Sequence, residues 1–319
     1  MTATIVDVPG VRVGHAQDKE AWTGCSVVIF EQAAVCGVDV RGSAPGTRET
    51  DLLHPINTVS EVHAICLTGG SAYGLDAASG VMQWLEEHGK GLDVGYGIVP
   101  IVPSAVLFDL PLGDGRVRPD RSMGYRACEA ASKEAVAQGN VGAGTGATVG
   151  KLNGFSQAMK GGIGSASRRL PNGLVVGALV AVNAVGHVLD PQTNEILAGP
   201  RNEEGQIVDS VELMLRQAAA PIPPGSNTTI AVVASNAKLS KTEANKVAQM
   251  AHNGLARTIR PIHTTMDGDT IFAVATGEVE ASVDLVGTMA ADVLAEAVVS
   301  AVKQAEGAGG LPAWRDLAR

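Results

Sequence analysis

The chain has 319 residues and a formal net charge of −9. Such an acidic balance argues against nucleic acid and anionic membranes as the main partners, because both require clustered Lys and Arg. With 45% hydrophobic and 18% charged residues, the composition excludes a disordered chain and suits one large domain or two ordinary ones.

The cysteines and the N-terminus bear on where the protein works. Four cysteines form no CxxC pair and each lies in an apolar context, which predicts buried free thiols and no disulfide framework: Cys25, Cys36, Cys66 and Cys128. Residues 1–5 lack the basic and apolar regions of a signal peptide. The sequence contains no run of about 18 apolar residues, so we expect no transmembrane helix. We therefore expect a cytoplasmic protein.

The first half of the chain is predicted to mix strands with two helices. Strands are predicted over 25–30, 33–40 and 64–67 from β-branched and apolar runs. Helices are predicted over 73–87 and 125–137, each ended by a glycine, Gly89 and Gly139. A dense glycine tract over 139–151 indicates backbone in close contact with other atoms or in unusual conformations.

The second half repeats the mixture. We predict strands over 174–182, from Thr228 onward and over 270–275, and helices over 207–220, 240–256 and 283–304. Ser240 and Glu243 form a capping box at the start of the second of these helices. Strands and helices occur in blocks as well as in alternation, which favours an α+β layered sandwich over a doubly wound sheet.

Thr228, at a junction between a loop and a strand, is a candidate nucleophile. The proline-rich loop 223–226 leads to Asn227, and Thr228 opens an apolar strand. If the Asn227–Thr228 bond is cut, Thr228 carries a hydroxyl and a free α-amine on one residue. The amine can then act as the base that activates the hydroxyl, as in N-terminal-nucleophile hydrolases.

Motifs for other chemistries are incomplete. Gly150-Lys151 is followed by Leu152, so the phosphate-loop pattern fails, and the Gly-rich tract follows a predicted helix and not a strand, unlike a dinucleotide fingerprint. The chain has no GxSxG and no HExxH motif. We therefore expect no cofactor and no metal.

Four polar residues far apart in the sequence are further candidates. Asp267 and Asp269 alternate in a predicted extended stretch and should face the same side. Lys151 ends the glycine tract, and Asn183 ends a strand. Taken singly, each is more simply explained as a turn residue or a solvated lysine.

Together these features resemble a family, the L-aminopeptidase/D-esterase family, which includes β-peptidyl aminopeptidases, nylon-oligomer hydrolases and a pantetheine-amide hydrolase. The resemblance covers essentially the whole chain. Its motifs are Arg41-Gly42-Ser43-Ala44-Pro45-Gly46-Thr47-Arg48-Glu49-Thr50, Leu67-Thr68-Gly69-Gly70-Ser71-Ala72-Tyr73-Gly74-Leu75, Gly144-Thr145-Gly146-Ala147, Gly161-Gly162-Ile163-Gly164, Asn227-Thr228-Thr229 and Asp267-Gly268-Asp269.

The resemblance implies a four-layer αββα sandwich, like those of N-terminal-nucleophile hydrolases and ornithine acetyltransferase. It also implies one self-processing domain over 1–319, cut into chains 1–227 and 228–319. Peptidase members carry Ser and Ser-x-Glu where this chain has Thr228 and Asp-x-Asp, which places it nearer the branch of nylon-oligomer hydrolases. The resemblance further implies a homo-oligomer, a tetramer.

The resemblance also assigns roles. Thr228 is the nucleophile, Asp267 orients it, and Asp269 supports Asp267. Lys151 lies near the nucleophile, and Asn183 donates to the oxyanion. The substrate-binding candidates are Gly144, Thr145, Gly146 and Phe108. Phe108 is a departure, because some relatives are expected to carry Tyr at this position.

The predicted activity is hydrolysis of a small peptide or amide through an acyl-enzyme. Two alternatives stay open: an acyl transferase resembling ornithine acetyltransferase, and a non-catalytic binding or assembly protein on the same scaffold. The sequence leaves α-peptides, β-peptides, D-amino acid esters and ω-amino amides open as substrates.

Overall fold

The computed structural model describes residues 3–217 and 227–317. Its α-helices are α1 (Ala77–Glu87), α2 (Arg121–Glu129), α3 (Ser210–Gln217), α4 (Lys241–Thr258) and α5 (Val283–Gln304). Its short 3-10 helices are Ile5–Asp7, Asp51–Leu53, Ser71–Asp76, Gly142–Gly144, Lys151–Asn153, Phe155–Gln157 and Trp314–Asp316.

The strands, in chain order, are β1 (Val11–Asp18), β2 (Thr23–Val40), β3 (Thr47–Arg48), β4 (Glu61–Thr68), β5 (Leu92–Asp93), β6 (Ile98–Val99), β7 (Ser104–Val106), β8 (Thr148–Val149), β9 (Met159–Lys160), β10 (Gly162–Arg169), β11 (Val175–Asn183), β12 (His187–Leu189), β13 (Ile196–Ala198), β14 (Thr228–Ala237), β15 (Ile259–Arg260) and β16 (Thr270–Val279).

The long strands form one mixed sheet. Within the described residues it has nine strands in the order β10-β11-β14-β16-β2-β4-β7-β3, with β1 paired to β2. The β14–β16 and β4–β7 pairs are parallel, and the other pairs are antiparallel. Strands β14 and β16, from the C-terminal part of the chain, therefore lie in the middle of the sheet.

Strand β2 joins the two halves of this sheet. The sequence predicts two strands, 25–30 and 33–40, but the structure has one continuous strand, Thr23–Val40. Its first part pairs with β1 and β4, its last part pairs with β16, and its register against β4 shifts between Ile29 and Ala34. The predicted break between the two strands, at residues 31–32, thus falls within the irregularity at which one strand passes between the halves of the sheet.

The buried side chains show the four layers. Alternate residues of β11, β14 and β16 pack against α4 and α5 on one face. The residues between them join Val28, Phe30 and Ile65 in a central cluster between the two halves of the sheet. On the outer face of β2 and β4, a third cluster contacts α1 and α2. This arrangement confirms the predicted αββα sandwich.

Helix α2 differs from its prediction at both ends. It spans Arg121–Glu129 and not 125–137, because the side chain of Asp120 accepts the Met123 N–H and starts it earlier. Beyond its end, Ser132 exchanges two backbone hydrogen bonds with Val13 of β1. That pairing with a strand distant in sequence takes residues 130–137 out of the helix.

The other helices agree better with the sequence. The capping box of Ser240 and Glu243 is present at α4, and α5 has the predicted limits. Helix α3 begins later than predicted, at Ser210, and residues 218–220 of that prediction lie outside the described residues, as does the loop 223–226. The four cysteines are free and buried, as expected.

Helix α5 has its predicted limits, but it is more apolar than the search for an unbroken apolar run indicated. By length and composition alone it could cross a membrane, with a mean hydropathy of 1.7 over its most apolar window. In the fold, 67% of that window is buried, and the helix packs against α4, β10 and β11. A buried core helix passes the same test of length and composition.

Candidate active site

Thr228 is the first residue of β14 and is only 3% exposed. It pairs with Asn183 at the end of β11, and Asn227 forms an isolated parallel bridge with Asp267. The Thr228 hydroxyl donates to the carbonyl oxygen of Asn227. The same oxygen accepts the N–H of Gly268 at 3.0 Å. The carbonyl of the predicted cleavage site is therefore contacted by the predicted nucleophile and polarised by a backbone donor.

Asp267 lies beside this junction and is fully buried. One carboxylate oxygen accepts the N–H of Thr264 at 2.8 Å and its hydroxyl. The other oxygen has no hydrogen-bond partner in the described part of the chain. Burial, and next the charge of Asp269, raise the pKa of Asp267 to about 6, against the opposing effect of Thr264 and Lys151. This carboxyl therefore gains and loses a proton at a higher pH than an ordinary aspartate.

Asp269 holds the backbone next to the nucleophile. One carboxylate oxygen accepts the Thr229 N–H at 2.7 Å. The other accepts the His263 N–H at 3.0 Å and lies 2.8 Å from His263 Nδ1. Asp269 thus ties the start of β14 to the segment before β16, which is consistent with the supporting role predicted for it.

The motif that begins at Arg41 packs on this acidic turn. The N–H groups of Arg41 and Ala44 donate to the carbonyls of Asp269 and Asp267, at 3.0 and 2.9 Å. A Cβ at Gly42 would lie 2.3 Å from the carbonyl oxygen of Asp267. Only glycine allows this approach, so the motif fixes the position of the two aspartates from outside.

Lys151 and Asn183 share a second cluster of polar atoms. Lys151 Nζ donates to the carbonyl and hydroxyl oxygens of Thr148, at 2.7 and 3.1 Å, and to the backbone and side-chain oxygens of Asn183, each at 3.0 Å. Burial holds the pKa of Lys151 well below its usual range, although Asp267 opposes that shift. Its amine therefore gives up a proton more readily than that of an exposed lysine.

The amide of Asn183 has a fixed orientation. Its Oδ1 accepts from Lys151 and from the N–H and hydroxyl of Thr148, at 3.0 and 3.3 Å. Its Nδ2 donates to the carbonyl of Phe108 at 3.0 Å. Since an amide nitrogen carries two hydrogens, one remains for another acceptor. Phe108 thus contributes its backbone to the cluster, independently of the hydroxyl that it lacks.

The three candidates in the glycine tract are buried by close packing. A Cβ at Gly144 would lie 2.2 Å from the Ile163 nitrogen, and one at Gly146 would lie 2.1 Å from the Trp22 carbonyl oxygen. The hydroxyl of Thr145 donates to the Gly142 carbonyl. Packing accounts for these residue types, and their predicted contact with substrate stays a prediction.

The sequence analysis missed several groups of the site. They are the N–H of Gly268, the side chains of His263, Thr264 and Thr148, and the carbonyl of Phe108. Thr264 three residues before Asp267 is a local turn signal that the sequence offered. The others depend on contacts between distant segments. Among residues 3–217 and 227–317, no three His, Cys, Asp or Glu side chains are grouped as metal ligands would be.

Comparisons with known proteins identify the family. The model of peptidase family S58 matches residues 3–313. An uncharacterized aminopeptidase of Mycobacterium tuberculosis is 47% identical, with 98% of this chain and 97% of the relative aligned. A 6-aminohexanoate-oligomer endohydrolase of Paenarthrobacter ureafaciens is 33% identical, over 93% of this chain and 85% of that enzyme.

Solved structures agree on the fold. The L-aminopeptidase D-Ala-esterase/amidase of Ochrobactrum anthropi, described as a variant of the Ntn-hydrolase fold, superposes with a TM-score of 0.74 at 21% identity, over 98% of this chain and 90% of that one. A β-aminopeptidase of Burkholderia gives a TM-score of 0.70 at 24% identity, over 97% and 89%. The family inferred from the motifs is confirmed: the chain belongs to peptidase family S58 and is a hydrolase of peptide or amide bonds.

Proposed function

We propose that the protein cuts its own chain between Asn227 and Thr228 and then uses Thr228 as an N-terminal nucleophile to hydrolyse amides. The observation that carries this proposal is the contact of the Thr228 hydroxyl with the Asn227 carbonyl, whose oxygen also accepts the Gly268 N–H. The hydroxyl, the bond to be cut and a donor for the developing negative charge are together in one buried place.

Self-cleavage begins when Thr228 Oγ1 attacks the Asn227 carbonyl carbon. The bond from that carbon to the Thr228 nitrogen breaks, an ester to Oγ1 forms, and the hydroxyl proton ends on the freed amine. Water then hydrolyses the ester, which restores the hydroxyl and releases the Asn227 carboxylate. The products are chains 1–227 and 228–319.

Turnover uses the new α-amine of Thr228 as the base. An α-amine has an ordinary pKa near 8, so it accepts a proton near neutral pH. Asp267 orients and polarises the nucleophile, while Lys151, in its protonated form, lowers the pKa of the amine. The second hydrogen of Asn183 Nδ2 donates to the oxyanion of the substrate, a contact worth about 3 kcal/mol in comparable sites.

The substrate class follows from the relatives and not from a visible ligand. A relative hydrolyses 6-aminohexanoate oligomers and another is an aminopeptidase by description. We propose a short peptide or a linear amide with a small acyl part as substrate. Profiling α-peptides, β-peptides, D-amino acid esters and ω-amino amides with the processed protein distinguishes these classes.

Substitution of the nucleophile tests the proposal. Thr228→Ala should stay one chain of about 33 kDa on a denaturing gel and should hydrolyse no amide, because the attacking oxygen is gone. Thr228→Ser is the matched control, since it keeps the hydroxyl, and it should still be cut. Two fragments from Thr228→Ala would refute the assignment of the nucleophile.

A further inference from the structure

A second buried lysine, Lys160, lies outside the residues that the proposed reaction uses. Its side chain is fully buried, and Nζ donates to the carbonyl oxygens of Thr145 and Ala147, at 3.0 and 2.6 Å. A buried ammonium is costly unless charge or hydrogen bonds compensate it. The cost of burying Lys160 therefore indicates a role in fixing the segment whose carbonyls accept its hydrogen bonds.

A buried carboxyl group, which opposes the lowering of the pKa of Lys160, approaches the same segment closely. Gly146 separates the two carbonyls, and a Cβ there would lie 2.6 Å from the Cβ of Asp109. Asp109 is itself buried, and its carboxylate accepts the Gly70 N–H and the Thr23 hydroxyl, each at 2.7 Å. Lys160 therefore bonds the carbonyls on either side of Gly146, and Asp109 packs closely against Gly146 itself.

Lys160 and Asp109 are each linked to Asn183 through one neighbouring residue. Lys160 in β9 is the strand partner of Thr148 in β8, and Thr148 donates to Asn183 Oδ1. Asp109 follows Phe108, whose carbonyl accepts from Asn183 Nδ2. Thr148 also accepts from Lys151. The donors and the acceptor that orient Asn183 thus belong to the two segments that Lys160 and Asp109 hold together.

We propose that Lys160, together with Asp109, is a positioning residue that fixes the segment from Thr145 to Thr148 and so orients Asn183 and Lys151 for the reaction. This inference rests on the proposed function. Lys160 acts through the backbone that it holds and through its charge, without touching the substrate.

The charge of Lys160 provides a measurable test of this role, the pKa of Lys151, which a packing role alone would leave unchanged. Burial lowers the pKa of Lys160 to about 7, and Asp109 opposes the shift. Burial also raises the pKa of Asp109 to about 6, opposed in part by Lys160. Lys160 in turn lowers the pKa of Lys151, while Asp267 raises it. Removing the charge at position 160 should therefore raise the pKa of Lys151.

The first experiment measures that pKa without relying on activity. Lysine Cε resonances are followed by NMR as the pH is changed, in Thr228→Ala protein that carries Lys160→Met. The Lys151 resonance, assigned through its own substitution, should titrate at higher pH than in Thr228→Ala alone. The control is Lys241→Met, because Lys241 is also buried and donates to three carbonyls, those of Leu52, Asn57 and Val59. An unchanged Lys151 titration in Lys160→Met would overturn the proposal.

The second experiment measures the rate of self-cleavage with Thr228 present. Lys160→Met should slow cleavage about a hundredfold, the loss expected when reacting groups are misplaced by about 1 Å, whereas Lys241→Met should cleave at the wild-type rate. If wild-type protein is never cut, the proposed function fails while the NMR result on Lys160 still stands.

A fallback covers the case in which Lys160→Met does not fold. Asp109→Asn keeps the lysine but removes its compensating charge, so the pKa of Lys160 should fall and cleavage should slow. An unchanged Lys160 titration together with wild-type cleavage in this variant would refute the proposed pairing.

Discussion

At the scale of single residues, the site keeps a carboxyl group where burial and a neighbouring negative charge destabilise its ionised form. Asp267 is buried beside a second carboxylate, and burial and that charge raise its pKa from 3.8 to about 6. An exposed aspartate would be ionised at far lower pH and would compete less strongly for a proton. The arrangement is typical of functional sites, which hold groups in environments that cost stability.

Asp267→Asn should therefore stabilise the fold while it slows self-cleavage. The folded state binds the Asp267 proton more tightly than the unfolded state, so its contribution is fully present below about pH 3.8 and is lost as the pH rises through about 6. The asparagine variant has no such loss. Its advantage in free energy of unfolding should grow from pH 4 to pH 6 and reach about 3 kcal/mol.

Denaturant unfolding as a function of pH checks this expectation. Both proteins carry Thr228→Ala, so that neither is cut during the measurement. A stability difference that does not vary between pH 4 and pH 7 would contradict the raised pKa of Asp267.

At the scale of elements, the site is made where three distant segments meet. The turn before β16 accepts backbone N–H groups of the loop after β2, and it bonds the start of β14 through the Gly268 N–H and the Asp269 carboxylate. Gly42 and Gly268 allow the approach, since a Cβ at Gly268 would lie 2.8 Å from Thr228 Oγ1. Glycine at these places is a requirement of packing.

Gly42→Ala should disturb this meeting point. Its new Cβ would lie within 2.4 Å of two backbone atoms, the carbonyl oxygen of Asp267 and the nitrogen of Asp269, and backbone yields less easily than a flexible side chain. We expect a loss of about 1–3 kcal/mol in stability and slower self-cleavage. Ser43→Ala, at the exposed neighbouring position, should change neither. Thermal unfolding and the rate of fragment formation are the measurements, and equal behaviour of the two variants would argue against the close packing.

Elements were predictable where their signals are local. The capping box before α4 and the apolar length of α5 are encoded within a few residues, and both helices have essentially the predicted limits. Helix α2 was misplaced because the Ser132–Val13 pairing joins segments far apart in sequence. Strand β2 was predicted as two strands because the polar pair Glu31-Gln32 interrupts its apolar runs, at a register irregularity inside one longer strand.

At the scale of the whole molecule, the two predicted fragments share one sheet. Strand β14 lies between β11 and β16, and β16 pairs with β2. The segment 228–319 also supplies α4 and α5, which cover one face of that sheet. The cluster against α4 and α5 and the central cluster therefore contain residues of both fragments, whereas the cluster against α1 and α2 comes from 1–227 among the described residues.

Cutting the Asn227–Thr228 bond should leave the molecule intact. Wild-type protein should show two bands on a denaturing gel but one species with both chains in native mass spectrometry, because separation would break the strand pairing on both sides of the β14–β16 pair and expose a core. The same spectrum reports the number of copies, for which a tetramer is the prediction. Chains that separate without denaturant would contradict the interleaved sheet.

The sequence by itself determined the family motifs, the hydroxyl at the start of an apolar strand and the helices with local caps. Only the tertiary structure decided that Gly268 donates to the Asn227 carbonyl, that His263 supports Asp269, and that Lys160 lies behind the glycine tract. Strand register and burial set these contacts and the shifted pKa values. Both arise when segments distant in sequence exclude water together, so no local pattern of residues records them.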